Sequence, residues 1–98
     1  MYEDILDDKS LTMIHERLNE IDWQIISALK QHGVMNKKEI MAATHLSISD
    51  VRDSVWRLYG GCIIYMRRLG NYTELKLTLS GNRLIELAYQ DYKRRDLR

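Results

Sequence analysis

Ninety-eight residues, with 15 Lys and Arg against 14 Asp and Glu and an apolar fraction of 45%, describe one small folded domain rather than a disordered chain. No apolar run reaches the roughly 18 residues of a membrane helix, and one cysteine excludes an internal disulfide framework and fits an intracellular protein. The net charge of +1 hides a division: residues 1–29 hold two basic and seven acidic side chains, whereas residues 30–83 hold nine basic and four acidic.

The N-terminus, Met1 to Asp8, is acidic and has no apolar core of a signal peptide. Residues 2–9 are expected to be frayed or loosely helical. A helix is predicted from Ser10 to about Leu18, with Leu11, Ile14 and Leu18 on one face at steps of three and four. Asn19 or Asp22 is expected to cap the next helix, which carries Trp23, Ile25, Ile26 and Leu29 and stops at Gly33.

A short helix then opens at Asn36. Glu39 stands three residues on, the spacing of a capping box. After a Thr44-His45-Leu46 turn, a second helix opens at Ser47 with Asp50 three residues on. Val51, Val55 and Leu58 recur at steps of four and three, so one face is buried. The other face shows Ser49, Asp50, Arg52, Asp53 and Arg57. Next come a strand from Cys62 to Arg68, a Gly70-Asn71 turn and a strictly alternating strand from Thr73 to Leu79, which together read as a β-hairpin. Ser80 or Gly81 starts a last helix to about Arg95, with Leu84, Leu87, Ala88 and Tyr92 on a broad apolar face beside Ile85 and Tyr89.

The order of these elements resembles the winged helix-turn-helix domain, and within it the MarR-like and PadR-like regulators. The resemblance covers about Ile21 to Leu87. It rests on the helix from Ile21 to Leu29 ending at Gly33, the helix from Lys38 to Ala43, the Leu46–Val51 start of the recognition helix, and the string Leu77-Thr78-Leu79-Ser80-Gly81, which looks like the exit from the second wing strand into the final helix. In size the chain is also similar to small winged-helix proteins of archaeal viruses and plasmids. The resemblance implies an α+β, mostly helical fold: a single domain over residues 1–98, with a winged-helix core at 21–79 between dimerisation segments at 1–20 and 80–98. In MarR-like proteins the terminal helices of two subunits pack together. Leu11, Ile14, Leu18, Leu84, Leu87, Ala88 and Tyr92 are accordingly expected at a homodimer interface.

A helix pair followed by a basic hairpin presents one helix to the DNA major groove and a ribbon to the flanking backbone. Arg52 is expected to reach a base edge or the backbone, and Arg57 the backbone, with Ser47 and Ser49 beside them. Asp50 and Asp53 repel phosphate; one serves the helix start, and either can orient an Arg. Arg67, Arg68 and Asn71 are expected to follow phosphate or enter the minor groove. Lys37 and Lys38 begin a helix whose free N–H groups also attract phosphate. Tyr65 is assigned a structural role and Cys62 that of a small buried hydrophobe.

His15, His32 and His45 have no metal-type spacing, so no metal and no cofactor is expected. No nucleophile–base pattern, phosphate loop or carboxylate pair stands out, and the layout is not that of an enzyme. The expected function is sequence-specific binding of double-stranded DNA by a cytoplasmic, DNA-associated homodimer, most simply a transcriptional repressor. A partition or architectural protein coating repeated sites is the rival within DNA binding. A winged helix used only for protein interaction is the rival outside it. A small-molecule effector is left open, and no membrane partner is expected.

Overall fold

The computed structural model describes residues 6–96. Five helices and one hairpin follow in the order α1 (Asp8–Arg17), α2 (Glu20–His32), α3 (Lys37–Thr44), α4 (Ile48–Gly60), β1 (Ile64–Leu69), β2 (Tyr72–Leu77) and α5 (Leu79–Asp96). This is the mostly helical, two-stranded winged helix-turn-helix expected from the sequence.

Local chemistry sets the helix starts. The Asp7 side chain accepts from the Ser10 amide, so α1 begins two residues before the predicted Ser10. Asn19 caps α2 in a reciprocal box with Asp22, and Asn36 caps α3 in the same way with Glu39. Ser47 caps α4 through the Asp50 amide. Between α3 and α4, His45 turns the chain in the left-handed region at φ 60°, its amide donating to Met41.

The hairpin pairs Ile64 with Leu77 at its base, two residues short of the predicted strands, and Leu69 with Tyr72 at its tip, one residue beyond them. Gly70 takes φ 58° in the turn, where a left-handed residue suits the twist of two antiparallel strands. A third partner is absent from the sequence pattern. Met35, in the α2–α3 connection, exchanges both backbone hydrogen bonds with Leu75, at 3.0 and 2.7 Å. Too short to read as a strand, this bridge fastens the middle of β2 to the helical body.

One core runs through all elements, built from Leu11, Ile25, Ile26, Leu29, Met35, Ile40, Val51, Val55, Leu58, Ile63, Ile64, Leu75 and Leu84, with Ala28 at its edge. This corrects two interface assignments. Leu11 and Leu84 have no exposed surface; they join α1 to α5 inside one chain. Ile14, Leu18 and Leu87 are half-buried against the same core. An amphipathic pattern says that a face is covered without saying by which copy of the chain. Ala88 is also half-buried, whereas Tyr92 stands out in solvent. An ion pair of Asp8 with Arg83 at 2.9 Å further ties α1 to α5, as does the Leu6 amide donating to Ser80 Oγ at 2.9 Å.

The passage from hairpin to α5 explains the Leu77–Gly81 string. Thr78 Oγ1 donates toward the Cys62 and Ile63 carbonyls, at 2.6 and 3.0 Å, and accepts from the Gly81 amide at 2.9 Å, capping α5. At Gly81 a Cβ would stand 2.3 Å from the Ile63 carbonyl oxygen, so only glycine lets the helix approach the strand this closely. Cys62 departs from expectation. It precedes the strand in a left-handed turn at φ 62° and is exposed. The inward position goes to Ile63, which is fully buried.

Candidate nucleic-acid interface

Helix α4 rests its Val51, Val55 and Leu58 face on the core, chiefly against α2, α3 and β1. Ser49, Arg52 and Asp53 are exposed, as predicted. Ser47 is exposed too, with its hydroxyl oxygen engaged by the Asp50 amide at 3.2 Å. Asp50 lies in the first turn of α4, where a carboxylate is favoured by the helix dipole.

Arg57 is held differently. Its Nη2 donates to Asp22 Oδ1 at 2.9 Å, and its side chain remains 49% exposed. Asp22 itself is fully buried at the start of α2. A buried carboxylate is costly unless its oxygens are satisfied. Here Oδ2 accepts from the Asn19 amide at 3.1 Å, and Oδ1 accepts from Arg57 and from the hydroxyl of buried Ser54. The network joins the second helix to the recognition helix. Ser54 and Asp22 were not foreseen as partners, because they lie 32 residues apart and no local spacing connects them.

The hairpin adds a second basic element. Arg67 stands opposite Glu74 and Arg68 opposite Thr73, and both arginines are exposed with Asn71 at the tip. Tyr65, assigned a structural role, lies on the outer side: it is nearly half exposed, and the Lys76 ammonium sits 5.2 Å from its ring centroid in cation–π geometry. Lys37 and Lys38 occupy the first turn of α3, Lys38 exposed and Lys37 half-buried.

The positive field is therefore narrower than a count of charges implies. Arg83 is spent on Asp8 and Glu86, both at 2.9 Å. Arg57 is partly neutralised by Asp22. Among the described residues, Lys37, Lys38, Arg52, Arg67 and Arg68 have no carboxylate within ion-pair distance. These five lie on α3, α4 and the hairpin; Lys30, whose Nζ donates to Asn82 Oδ1, and Lys76, set against the Tyr65 ring, likewise lack a carboxylate partner. Sequence reasoning missed two exposed features of α4: Ile48 at its first turn, and Trp56 packed edge-on against Tyr59 with centroids 6.1 Å apart. Their position on the outer face was the available signal. Among the described residues no three His, Cys, Asp or Glu side chains gather as a metal site, and no helix is long and apolar enough to cross a membrane.

No protein-family model and no curated protein matches the sequence. Solved structures do match in fold. TubR bound to 24 bp of tubC, from Bacillus thuringiensis serovar israelensis, superposes with a TM-score of 0.73 at 22% identity, covering 93% of this chain and 99% of TubR. A TubR mutant described as a type III plasmid segregation protein gives 0.73 at 20% identity, covering 94% and 99%. A MarR mutant from E. coli in complex with operator DNA gives 0.70 at 14% identity, covering 85% of this chain and 63% of MarR. The fold is that of the MarR-type winged-helix DNA-binding proteins. The chain spans about two thirds of such regulators as MarR and almost the whole of TubR.

Proposed function

We propose that the chain binds double-stranded DNA sequence-specifically, with α4 in the major groove and the β1–β2 hairpin along the flanking backbone. The observation that carries this reading is the placement of five unpaired cations on α3, α4 and the hairpin, around a recognition helix whose Arg52 points away from the core. Arg52 suits a guanine edge, and the others suit phosphate. Binding as a homodimer follows from the two-fold logic of paired half-sites. The remaining outer surface of the terminal helices, with Met13 and Tyr92 exposed, is the surface offered for that pairing. The role is non-enzymatic, in the compartment that holds the DNA.

Two roles fit such binding. One is transcriptional regulation, most simply repression by occupying a promoter. The other is a partition or architectural protein that coats repeated sites on a plasmid or viral genome. The likeness to TubR, described as bound to tubC and as a type III plasmid segregation protein, supports the second.

Selection of duplexes from a random pool, then footprinting on long DNA over a salt series, tests the proposal. With Lys37, Lys38, Arg67 and Arg68 on phosphate, a dimer neutralises about eight charges, and the log–log salt slope is expected near about −7. A slope near zero removes the nucleic-acid reading. Protection that spreads beyond the selected site supports the coating role, and a confined footprint supports simple regulation.

A further inference from the structure

The first turn of α4 carries an apolar side chain that the fold leaves outside. Ile48 is the first helical residue after the Ser47 cap, and it is 55% exposed. The face of α4 that meets the core is supplied by Val51, Val55 and Leu58, so Ile48 is surplus to the packing of the domain. Its β-branch restricts it to few rotamers, which gives the exposed group a defined shape. Arg52 follows four residues on, about 6 Å along the helix axis and about 40° around it. The two side chains are therefore neighbours on one strip of surface.

Residues in the first turn of a recognition helix come closest to the base edges. The edges of the major groove present hydrogen-bond donors and acceptors, with a single apolar group among them, the C5-methyl of thymine. An isoleucine placed there has nothing to gain from phosphate and nothing from a guanine edge. It gains only where a methyl group covers it.

We infer that Ile48 is a base-reading residue whose ligand is the C5-methyl of a thymine, beside the base read by Arg52. The inference rests on the DNA-binding function proposed above and adds to it the class of base that this position selects. Base pairs stack about 3.4 Å apart, so side chains set about 6 Å apart on α4 reach edges no more than about two steps from each other, and the thymine lies within about two base pairs of the Arg52 contact.

Deoxyuridine keeps the hydrogen-bonding edge of thymidine and lacks only the methyl, so it isolates the contact. In the selected duplex each thymine is replaced in turn by deoxyuridine, and affinity is measured with the full chain at one fixed salt. The native chain is expected to lose about fourfold in affinity at one thymine per half-site, the effect of uncovering a single methyl-sized group. Ile48→Ala is expected to bind the thymidine and deoxyuridine duplexes alike, and Ile48→Val to keep part of the discrimination. Circular dichroism checks that both variants, altered at an exposed site, keep the fold. If no thymine shows methyl dependence while binding stays tight and salt-dependent, the inference is overturned and the DNA-binding function stands. The same follows if Ile48→Ala keeps the full fourfold loss at the same position. If the native chain shows no salt-dependent duplex binding, the DNA-binding function fails, and the inference falls with it.

Discussion

Arg57 and Asp22 are 35 residues apart in the chain and 2.9 Å apart in space, one on the recognition helix and the other at the buried start of α2. The carboxylate also takes the Ser54 hydroxyl and the Asn19 amide. It thus closes a helix cap and a helix–helix contact with the same two oxygens. This ion pair holds one end of the Arg57 guanidinium against α2, and about half of the side chain stays in solvent.

Replacing Asp22 by Ala strands the buried Ser54 hydroxyl and removes the carboxylate half of the α2 capping box, while Asn19 keeps its own bond to the amide of residue 22. An unsatisfied buried donor costs about 1–3 kcal/mol and the lost half of the box up to about 1 kcal/mol. A loss of about 2–4 kcal/mol is expected in urea unfolding. Pairing the change with Ser54→Ala should recover part of it, because the stranded hydroxyl is then gone. A loss below 0.5 kcal/mol, on the scale of an ordinary surface change, means that the network contributes little.

Gly81→Ala places a methyl 2.3 Å from the Ile63 backbone oxygen. The neighbour is main chain and cannot swing aside, so the hairpin base and α5 must separate. A destabilisation of about 2–3 kcal/mol is expected, in the range of overpacked cores. Thermal unfolding of the variant measures it, and an unchanged midpoint refutes the close approach.

Acid should loosen the α1–α5 contact. The Arg83 guanidinium beside Asp8 holds its carboxyl below the ordinary value of 3.8. A lowered folded-state pKa contributes stability that is present above the unfolded value and lost as pH falls through the folded one. The effect belongs below about pH 4, and it is small because both groups face solvent. Asp8→Asn should flatten the acid limb by lowering stability slightly at neutral pH, the two chains converging at low pH where native Asp8 is protonated. Equal acid slopes for the two chains show that the pair is inert.

Arg52 and Arg67 should fail in different ways. Arg52→Ala is expected to cost about 1–3 kcal/mol on the preferred duplex and much less on a scrambled one. Arg67→Ala should weaken both duplexes alike and make the salt slope shallower. Binding to the two duplexes at one ionic strength decides between them. The opposite pattern assigns base reading to the hairpin.

Among the expected pairing residues Tyr92 stands out farthest, with two thirds of its surface in water (67%). Tyr92→Asp should weaken the proposed dimer about tenfold or more, since burying a large side chain is worth roughly 1.5–3 kcal/mol. The monomer fold should survive. Sedimentation equilibrium of both chains, with unfolding as a control, measures this. A native chain that is monomeric at high micromolar concentration refutes the dimer.

Local rules were enough to read most of the architecture. The caps at Asn36 and Ser47 and the buried series Val51, Val55 and Leu58 depend on neighbours within one or two helical turns, and they lie where the spacing put them. The features that escaped depend on distant partners. The Asp22–Ser54 contact and the Met35–Leu75 bridge join segments more than 30 residues apart. Leu11 and Leu84 were given to a partner because periodicity marks a covered face without naming what covers it. Cys62 was placed inside and stands outside because a single left-handed residue at the strand entrance shifts the inward position to Ile63.

Mechanically, Leu75 is a fulcrum. Both of its main-chain groups are clamped by Met35, and it faces Met66 across the ribbon. On the proximal side, Thr78 and Gly81 lock the ribbon to α5. On the distal side, only Arg67–Leu69, the Gly70-Asn71 turn and Tyr72–Glu74 extend past the clamp. The hairpin is thus a short cantilever whose anchored half keeps its register while its free half carries Arg67 and Arg68. Bending is confined to the few residues beyond the clamp, so in the DNA complex proposed above the two arginines follow the phosphate track without moving α4.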